Sequence, residues 1–459
     1  MRTRVGGVCI VLALLAVLGS GCCEPLGEGP QSFNSRLALR VYVGEEIGVY
    51  PGMIGRTPSA EPLAIPARLY WWVAPANGVP NWPAVVAEVR AQNISGLGVD
   101  TLDRRGLAPM EALTDLRTLD LWTCIGMDDA QMPHVAALKQ LQVLNLTWTK
   151  ITDAGLVHLE GLTHLQVLRL VGTEVTDDGL SHLAGLRCLR ELHLGGSKVG
   201  GPGLAHLKRA GNLEWLALSG TQVTDDGLAG LKHVDSLRGL AVGGEQVSDA
   251  GLAHLVPLKR LEQLNLSGAK INGTGLVHLS KLPRLRDLNL AHCGSLSRAG
   301  FANLRPLTEL TVLNLWKTSV QSADLANVAG MKRLKELNLA QTVITGAGLV
   351  HLKELTELRS LNLWACQGLT AGSLAPLAGL TNLEYLNVRG TQMVNDDLAV
   401  VLGMTRLREL YIGETLVTSP CLEHLKGLKA LRKLYLGGGI TDAALADLRA
   451  ALPDLEIIR

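Results

Sequence analysis

Aromatic residues are scarce in this 459-residue chain: Phe, Trp and Tyr together make 3% of it, and Phe occurs only twice. A conventional globular core of this length uses more aromatic volume, so two or three ordinary domains are a poor fit. A core of stacked Leu layers suits the composition better. A charge surplus is missing too, with 43 Lys and Arg against 42 Asp and Glu. Binding nucleic acid through its phosphates favours a basic excess, so no nucleic-acid partner is expected. Long apolar runs are also absent. The best, residues 8–18, is eleven residues long, too short to span a bilayer comfortably. Catalytic signatures are lacking: there is no G-x-S-x-G, H-E-x-x-H or P-loop spacing, and no His precedes His134. Of the eight Cys, Cys9, Cys22 and Cys23 lie at the N-terminus, while Cys124, Cys188, Cys293, Cys366 and Cys421 are far apart. Without CxxC pairs or His at matching intervals, no structural zinc site is expected.

Leu is abundant, and its placement is periodic. Aligned on Leu-x-x-Leu-x-Leu, the units start at Ile94, Leu116, Leu141, Leu165, Leu189, Leu213, Leu237, Leu261, Leu285, Leu310, Leu334, Leu358, Leu383, Leu407, Leu431 and Leu455. Of the fifteen intervals eleven are 24 residues, three are 25 and one is 22, so internal repetition is the dominant signal. Residues 141–162 read LQVLNLTWTKITDAGLVHLEGL. Alternation around Leu144 and Leu146 predicts a strand with one buried face. Thr152 and Asp153 form a helix N-cap pair. Leu156, Leu159 and Leu162 then recur at spacing three along a short helix, and Gly161 ends it. Each unit is strand, turn, helix, turn, and buries its Leu face only against its neighbours.

This pattern resembles the leucine-rich-repeat family over about four-fifths of the chain. The LxxLxLxxC/T run followed by T-D-x-G-L is similar to the long-helix and cysteine-containing repeats, and to bacterial envelope proteins with tandem VTDAGL repeats. The resemblance implies an α/β solenoid, a curved horseshoe with parallel strands on the concave face and helices on the convex face. Family members often place Asn three residues after the last strand Leu. Here that place holds Thr149, Thr173, Thr221, Thr318, Thr342, Thr391 and Thr415, and also Cys124, Cys293 and Cys366. The three Cys fall in the three 25-residue units. They are expected to be small buried groups capping the inner backbone of a turn with one extra residue.

The chain divides accordingly. Residues 1–22 read as an export signal of lipoprotein type: Arg2 and Arg4, the apolar run, then small residues before Cys22. They resemble a bacterial lipobox, in which the Cys carries the lipid. Gly19 stands where that motif usually has Leu, with Leu18 one place early. Ordinary cleavage after Gly21, giving a secreted protein, is the alternative. Residues 23–80 are Pro- and Gly-rich and read as a tether plus a small irregular segment, with one alternation at Leu37, Leu39, Val41 and Val43. Residues 81–93 read as a capping helix. Residues 94–459 form about fifteen repeats, the last altered by Gly437, Gly438 and Gly439 and a longer helix at residues 443–452, as expected of a unit facing water.

Register then sorts the candidate sites. His158, His182, His206, His254, His278, His351 and His424 share the GLxHL position. One His per repeat spaces neighbours roughly 8–10 Å apart, too far to share a zinc ligated near 2 Å, so no metal is expected. The pairs Asp177 and Asp178, Asp225 and Asp226, and Asp396 and Asp397 suit helix capping and the helix dipole. Gly195, Gly196, Gly243 and Gly244 are turn glycines at strand ends. The aromatics are less easily explained. Trp215 and Tyr385 are third in the motif, Tyr411 and Tyr435 fifth, Trp122, Trp316 and Trp364 seventh, and Trp148 eighth. Odd positions alternate with the buried Leu and so face outward on the concave side; the eighth lies at its edge. Only Phe301 takes a core Leu position. Large contact area and few rotors suit Trp and Tyr to recognition, although packing on Lys317 or Arg389 is the alternative. Asn265, Asn289, Asn314, Asn338, Asn362 and Asn387 fill the fifth position of six consecutive units. They are placed either to bond along the sheet or to present donors and acceptors to a ligand.

These features describe a non-enzymatic, extracytoplasmic recognition scaffold without cofactor, bound to the membrane by its lipid anchor alone or secreted. Its partner is a protein or a glycan on the concave face. The cysteine-containing repeats also resemble substrate-receptor subunits of eukaryotic ubiquitin ligases. Those carry an F-box helical domain ahead of the repeats, for which residues 24–80 are too Pro- and Gly-rich, and an export signal would remove the protein from that machinery. A third possibility, an enzyme with its chemistry outside the repeats, finds no Ser/His/Asp set to support it.

Overall fold

The computed structural model describes residues 32–33, 35, 37–44, 52–57, 63–64, 70–75 and 81–459. The expected export signal, with Cys22, lies outside the described residues. Alternating Leu dictates the main element, one open sheet of nineteen strands among the described residues. Each repeat contributes three strand residues, such as Val143–Asn145, Val167–Arg169 and Glu191–His193, paired parallel and without register shift. Leu144, Leu168 and Leu192 therefore stack as one ladder and are fully buried. Leu156, Leu159 and Leu162 seal the other wall. Parallel strands covered in this way bury one continuous core from end to end.

The convex side carries the expected helices, and they are short. It consists of one-turn α segments and 3-10 helices, such as Asp153–Leu156 followed by Val157–Leu159. The longest before the altered last unit, Asn395–Gly403, has nine residues. The spacing of three in Leu156, Leu159 and Leu162 is the period of a 3-10 helix, not of an α-helix, and a 24-residue unit leaves no room for a long helix. Asp residues staple these short elements across repeats. The Asp153 carboxylate accepts from Thr176 N at 2.8 Å and Thr176 Oγ1 at 2.6 Å. Asp177 accepts from the backbone nitrogens of Gly200, Gly201 and Gly203 at 2.8–3.0 Å. Asp177 and Asp225 thus cap the following repeat, while Asp397 accepts from Val394 N in its own.

The inner turn has two forms. In 24-residue units the Thr hydroxyl donates to its own strand carbonyl, as Thr149 does to Leu146 O at 2.6 Å. In two of the 25-residue units the thiol reaches back one repeat: Cys293 to Leu266 O at 3.3 Å and Cys366 to Leu339 O at 3.1 Å. Burial pushes the Cys293 thiol up to about 11 and the Cys124 thiol up to about 12, so these sulfurs stay protonated and unreactive. From Thr123 to Glu414 the eighth residue of every repeat is left-handed. Gly supplies this at six of the thirteen places, and Trp148 adopts it at φ 58°.

Both ends are closed. The α-helix Trp82–Ala91 buries Trp82, Val85, Val86 and Val89, one helical face, against the first repeat. Residues expected to be irregular instead prolong the sheet. Leu39–Gly44 lies antiparallel between Gly52–Thr57 and Tyr70–Pro75, and the last of these pairs with Gly96–Gly98 through Val73 and Leu97. Pro and Gly punctuate short strands here, and the pairing covers an edge that would otherwise be open. At the other end the ten-residue helix Asp442–Ala451 precedes the final strand Glu456–Ile458, which pairs with Lys433–Tyr435. Among the described residues no helix is long and apolar enough to cross a membrane.

Candidate ligand-binding face

The third, fifth and seventh residues of each unit form three rows across the concave side. In the fifth row each Asn turns its Oδ1 to the backbone N–H two residues on. Asn314 accepts from Trp316, Asn338 from Ala340 and Asn362 from Trp364, each at 3.0 Å. That N–H lies outside the strand pairing, so the side chain satisfies it. The amide orientation is thereby fixed, because only an oxygen can accept there. Nδ2 must then point away from the backbone. In Asn265, Asn289, Asn314, Asn338 and Asn362 it has no partner among the described residues, and none of these nitrogens is sealed from solvent. Asn387 differs, its Nδ2 donating to Tyr385 Oη at 3.3 Å. The Asn side chains therefore hold the backbone with one atom and face the concave side with the other, rather than bonding to one another along the sheet.

The aromatics fall into distinct environments. Trp122 and Trp148 are exposed, at 44% and 63%. Trp148 lies over Gly172 and Trp215 over Gly239, where any side chain would collide with the ring. Surface filling accounts for those two rings. Trp316 is pinned from both sides: His292 meets its ring edge-on at 4.4 Å between centroids, and its Nε1 donates to Gln341 Oε1 at 3.0 Å. Trp364 is half-buried, and its ring has no such partner among the described residues. Ala340, in the repeat between these two Trp, is 1% exposed. Tyr411 and Tyr435 stack at 3.9 Å and 8°, with Tyr385 tilted against Tyr411 at 5.2 Å. Burial raises the Tyr385 and Tyr411 phenols above their usual range.

Two groups went unnoticed in the sequence. Asp287 and Glu336 occupy the third row, separated by the strand that carries Val312, which places them about 9.6 Å apart at normal strand spacing. Both are half-buried, and neither has a hydrogen bond or ion pair among the described residues. Burial, helped by the charge of Glu336, pushes Asp287 up to about 7, and burial also raises Glu336. Writing the third position as a column would have revealed two acids with no basic neighbour. The second group, Asp120, Asn145, Arg169, Glu191 and His193, lies toward the N-terminal end and is paired in part, the buried Arg169 Nη2 having no hydrogen bond among the described residues. Asp120 accepts from Asn145 Nδ2 at 2.8 Å, and His193 contacts Glu191 at 3.4 Å. Arg169 is a cation to both acids, with its Nη2 buried.

The repeated His are on the convex side, where His182 Nδ1 lies 2.7 Å from Glu160 Oε1. Among the described residues no three His, Cys, Asp or Glu are grouped to hold a metal ion.

Comparison with known proteins places this architecture. No curated protein matches the sequence. Among solved structures, a leucine-rich-repeat protein of Leptospira interrogans is 20% identical with a TM-score of 0.56, the match covering 80% of this chain and 90% of that one. The TLR13–ssRNA13 complex is 18% identical with a TM-score of 0.52, covering 80% and 58%. An internalin of Listeria monocytogenes is 21% identical over 82% and 92%, with a TM-score of 0.43. At these identities the likeness is one of fold. The family model described as a leucine-rich repeat region matches residues 97–350, more than half of the chain, and the protein belongs to the leucine-rich-repeat family.

Proposed function

We propose that this protein is a non-catalytic recognition scaffold of the cell envelope that binds a protein or glycan on its concave face. One observation carries the reading. The fold is complete without the amide nitrogens of the Asn row, the Asp287 and Glu336 carboxylates and the Trp364 ring, yet all of them face the same side without partners. Buried polar groups are normally paired, and these sit on residues that are largely or half buried. A surface that leaves several adjacent ones open is suited to a ligand that supplies the partners. Trp316, Trp364, Tyr385, Tyr411 and Tyr435 add rigid contact area beside them. The near balance of charge argues for a partner other than nucleic acid. The resemblance to bacterial VTDAGL proteins and the export-type signal support a location outside the cytoplasm, tethered through a lipid on Cys22 or secreted.

Pull-down from envelope extract, with wild type and the Trp316→Ala/Trp364→Ala double variant side by side, tests the face. Loss of the captured partner in the double variant supports it, and undiminished capture removes it. Labelling with a radioactive fatty acid tests the anchor, with label expected on wild type and none on Cys22→Ala. An unlabelled wild type refutes lipidation.

A further inference from the structure

We propose that the middle of the concave face, from Asn265 to Trp364, binds a linear, uncharged glycan lying across the strands. The inference rests on the recognition reading above and narrows its ligand. The fifth row offers five amide donors in succession, and the third row beside it offers the unpaired carboxylates of Asp287 and Glu336. Asn289, Asn338 and Asn362 are each at least nine-tenths buried, at 8%, 8% and 7% exposure, so their open donors lie at the floor of the face.

Charged ligands match one row and not the other. Lys and Arg carry donors only; they would satisfy the carboxylates and leave five amides without acceptors. An acidic ligand would satisfy the amides and meet the repulsion of two acids. A hydroxyl both donates and accepts, so one pair of neighbouring hydroxyls answers an amide and a carboxylate together.

Spacing separates a glycan from the other amphoteric candidate, a peptide backbone. The rows advance by about 4.8 Å per strand, whereas an extended peptide repeats its groups on one side every second residue, about 6.8 Å. Register is lost within two strands. A chain of six-membered sugar rings advances by about one ring per strand and keeps it. The seventh row completes the match, because Trp364, and Trp316 locked by His292 and Gln341, set flat apolar surface where the C–H face of a ring would lie.

The test uses the full chain on an array of neutral, basic and acidic oligosaccharides, linear and branched, beside an array of random peptides. Wild type is expected to bind neutral linear oligosaccharides. Asp287→Asn/Glu336→Gln, nearly isosteric changes at positions that hold no other side chain, should weaken binding about tenfold or more, with a melting temperature no lower than that of wild type at pH 4 or at pH 7. Trp122→Ala, outside the strip, should leave it intact. Absence of any oligosaccharide signal overturns the proposal, as does binding that the double variant retains in full. Peptide binding lost in Trp316→Ala/Trp364→Ala, without oligosaccharide binding, would overturn the glycan while the recognition face stands. Loss of neither class in that variant would remove both.

Discussion

The N-terminal and central parts of the concave face are built on the same repeat and treat their polar residues in opposite ways. Near Asp120, Asn145, Glu191 and His193 side chains pair along the rows, while the buried Arg169 Nη2 among them has no hydrogen bond and faces the acids through charge alone. Between Asn265 and Asn362 the same positions hold polar groups that no neighbour satisfies. The first region uses polarity to hold strands together, and the second holds polarity in reserve. The difference is a change of residue type within a fixed geometry: opposite charges two strands apart in one place, like charges two strands apart in the other.

Mutation can break this contrast. Arg169→Leu removes the cation between Asp120 and Glu191 and should destabilise the protein by about 3 kcal/mol in urea denaturation at pH 7. Adding Asp120→Asn should recover part of that. A loss below about 0.5 kcal/mol would show that this end is not held by its charges.

Asp287→Asn should act in the opposite direction. The Asp287 carboxyl stands near 7 in the folded chain, above its ordinary value of 3.8. The folded state therefore keeps a proton that the unfolded state has lost as pH rises from 4 to 7, and stability falls across that window. The variant should be more stable than wild type by about 2 kcal/mol at pH 8 and by almost nothing at pH 4. Equal stability at pH 8 would mean that the carboxylate has a counter-charge after all.

The Asn residues sharpen the contrast at smaller scale. Asn338→Ala leaves the Ala340 N–H without its acceptor and should cost about 1 kcal/mol. Asn145→Ala loses the Asp120 contact as well as the Thr147 N–H, adding roughly 0.5 kcal/mol. Identical costs in chemical denaturation would remove the distinction. Trp148→Gly should matter least. It relieves a left-handed backbone worth about 1 kcal/mol and gives up a contact over Gly172 by an exposed ring, for a net change within about 0.5 kcal/mol.

The architecture was legible because the Leu period is a statement about burial: Leu144, Leu168 and Leu192 are core by position, and each is sealed. The convex side was less so. A spacing of three suits a 3-10 helix and a short α-helix alike until the number of residues available is counted. At the N-terminus, Pro and Gly between short alternating segments read as irregular, because the strand Leu39–Gly44 finds its partners up to 36 residues away. The candidate face was half legible. Position in the motif showed which aromatics face outward, but not that glycines at 172 and 239 make room for Trp148 and Trp215. Which atom of an Asn is engaged depends on a rotamer, and whether an acid is paired depends on residues one or two repeats away. Periodicity carries neither.

Isothermal titration of the strongest-binding array oligosaccharide into Asp287→Asn/Glu336→Gln and into Trp122→Ala/Trp148→Ala compares the two regions directly. The central strip is predicted to carry the binding, so the first variant should weaken it about tenfold, or 1.4 kcal/mol, and the second should leave it within about twofold. Equal losses, or the larger loss in the Trp122 and Trp148 variant, would contradict the division of the concave face on which this reading stands.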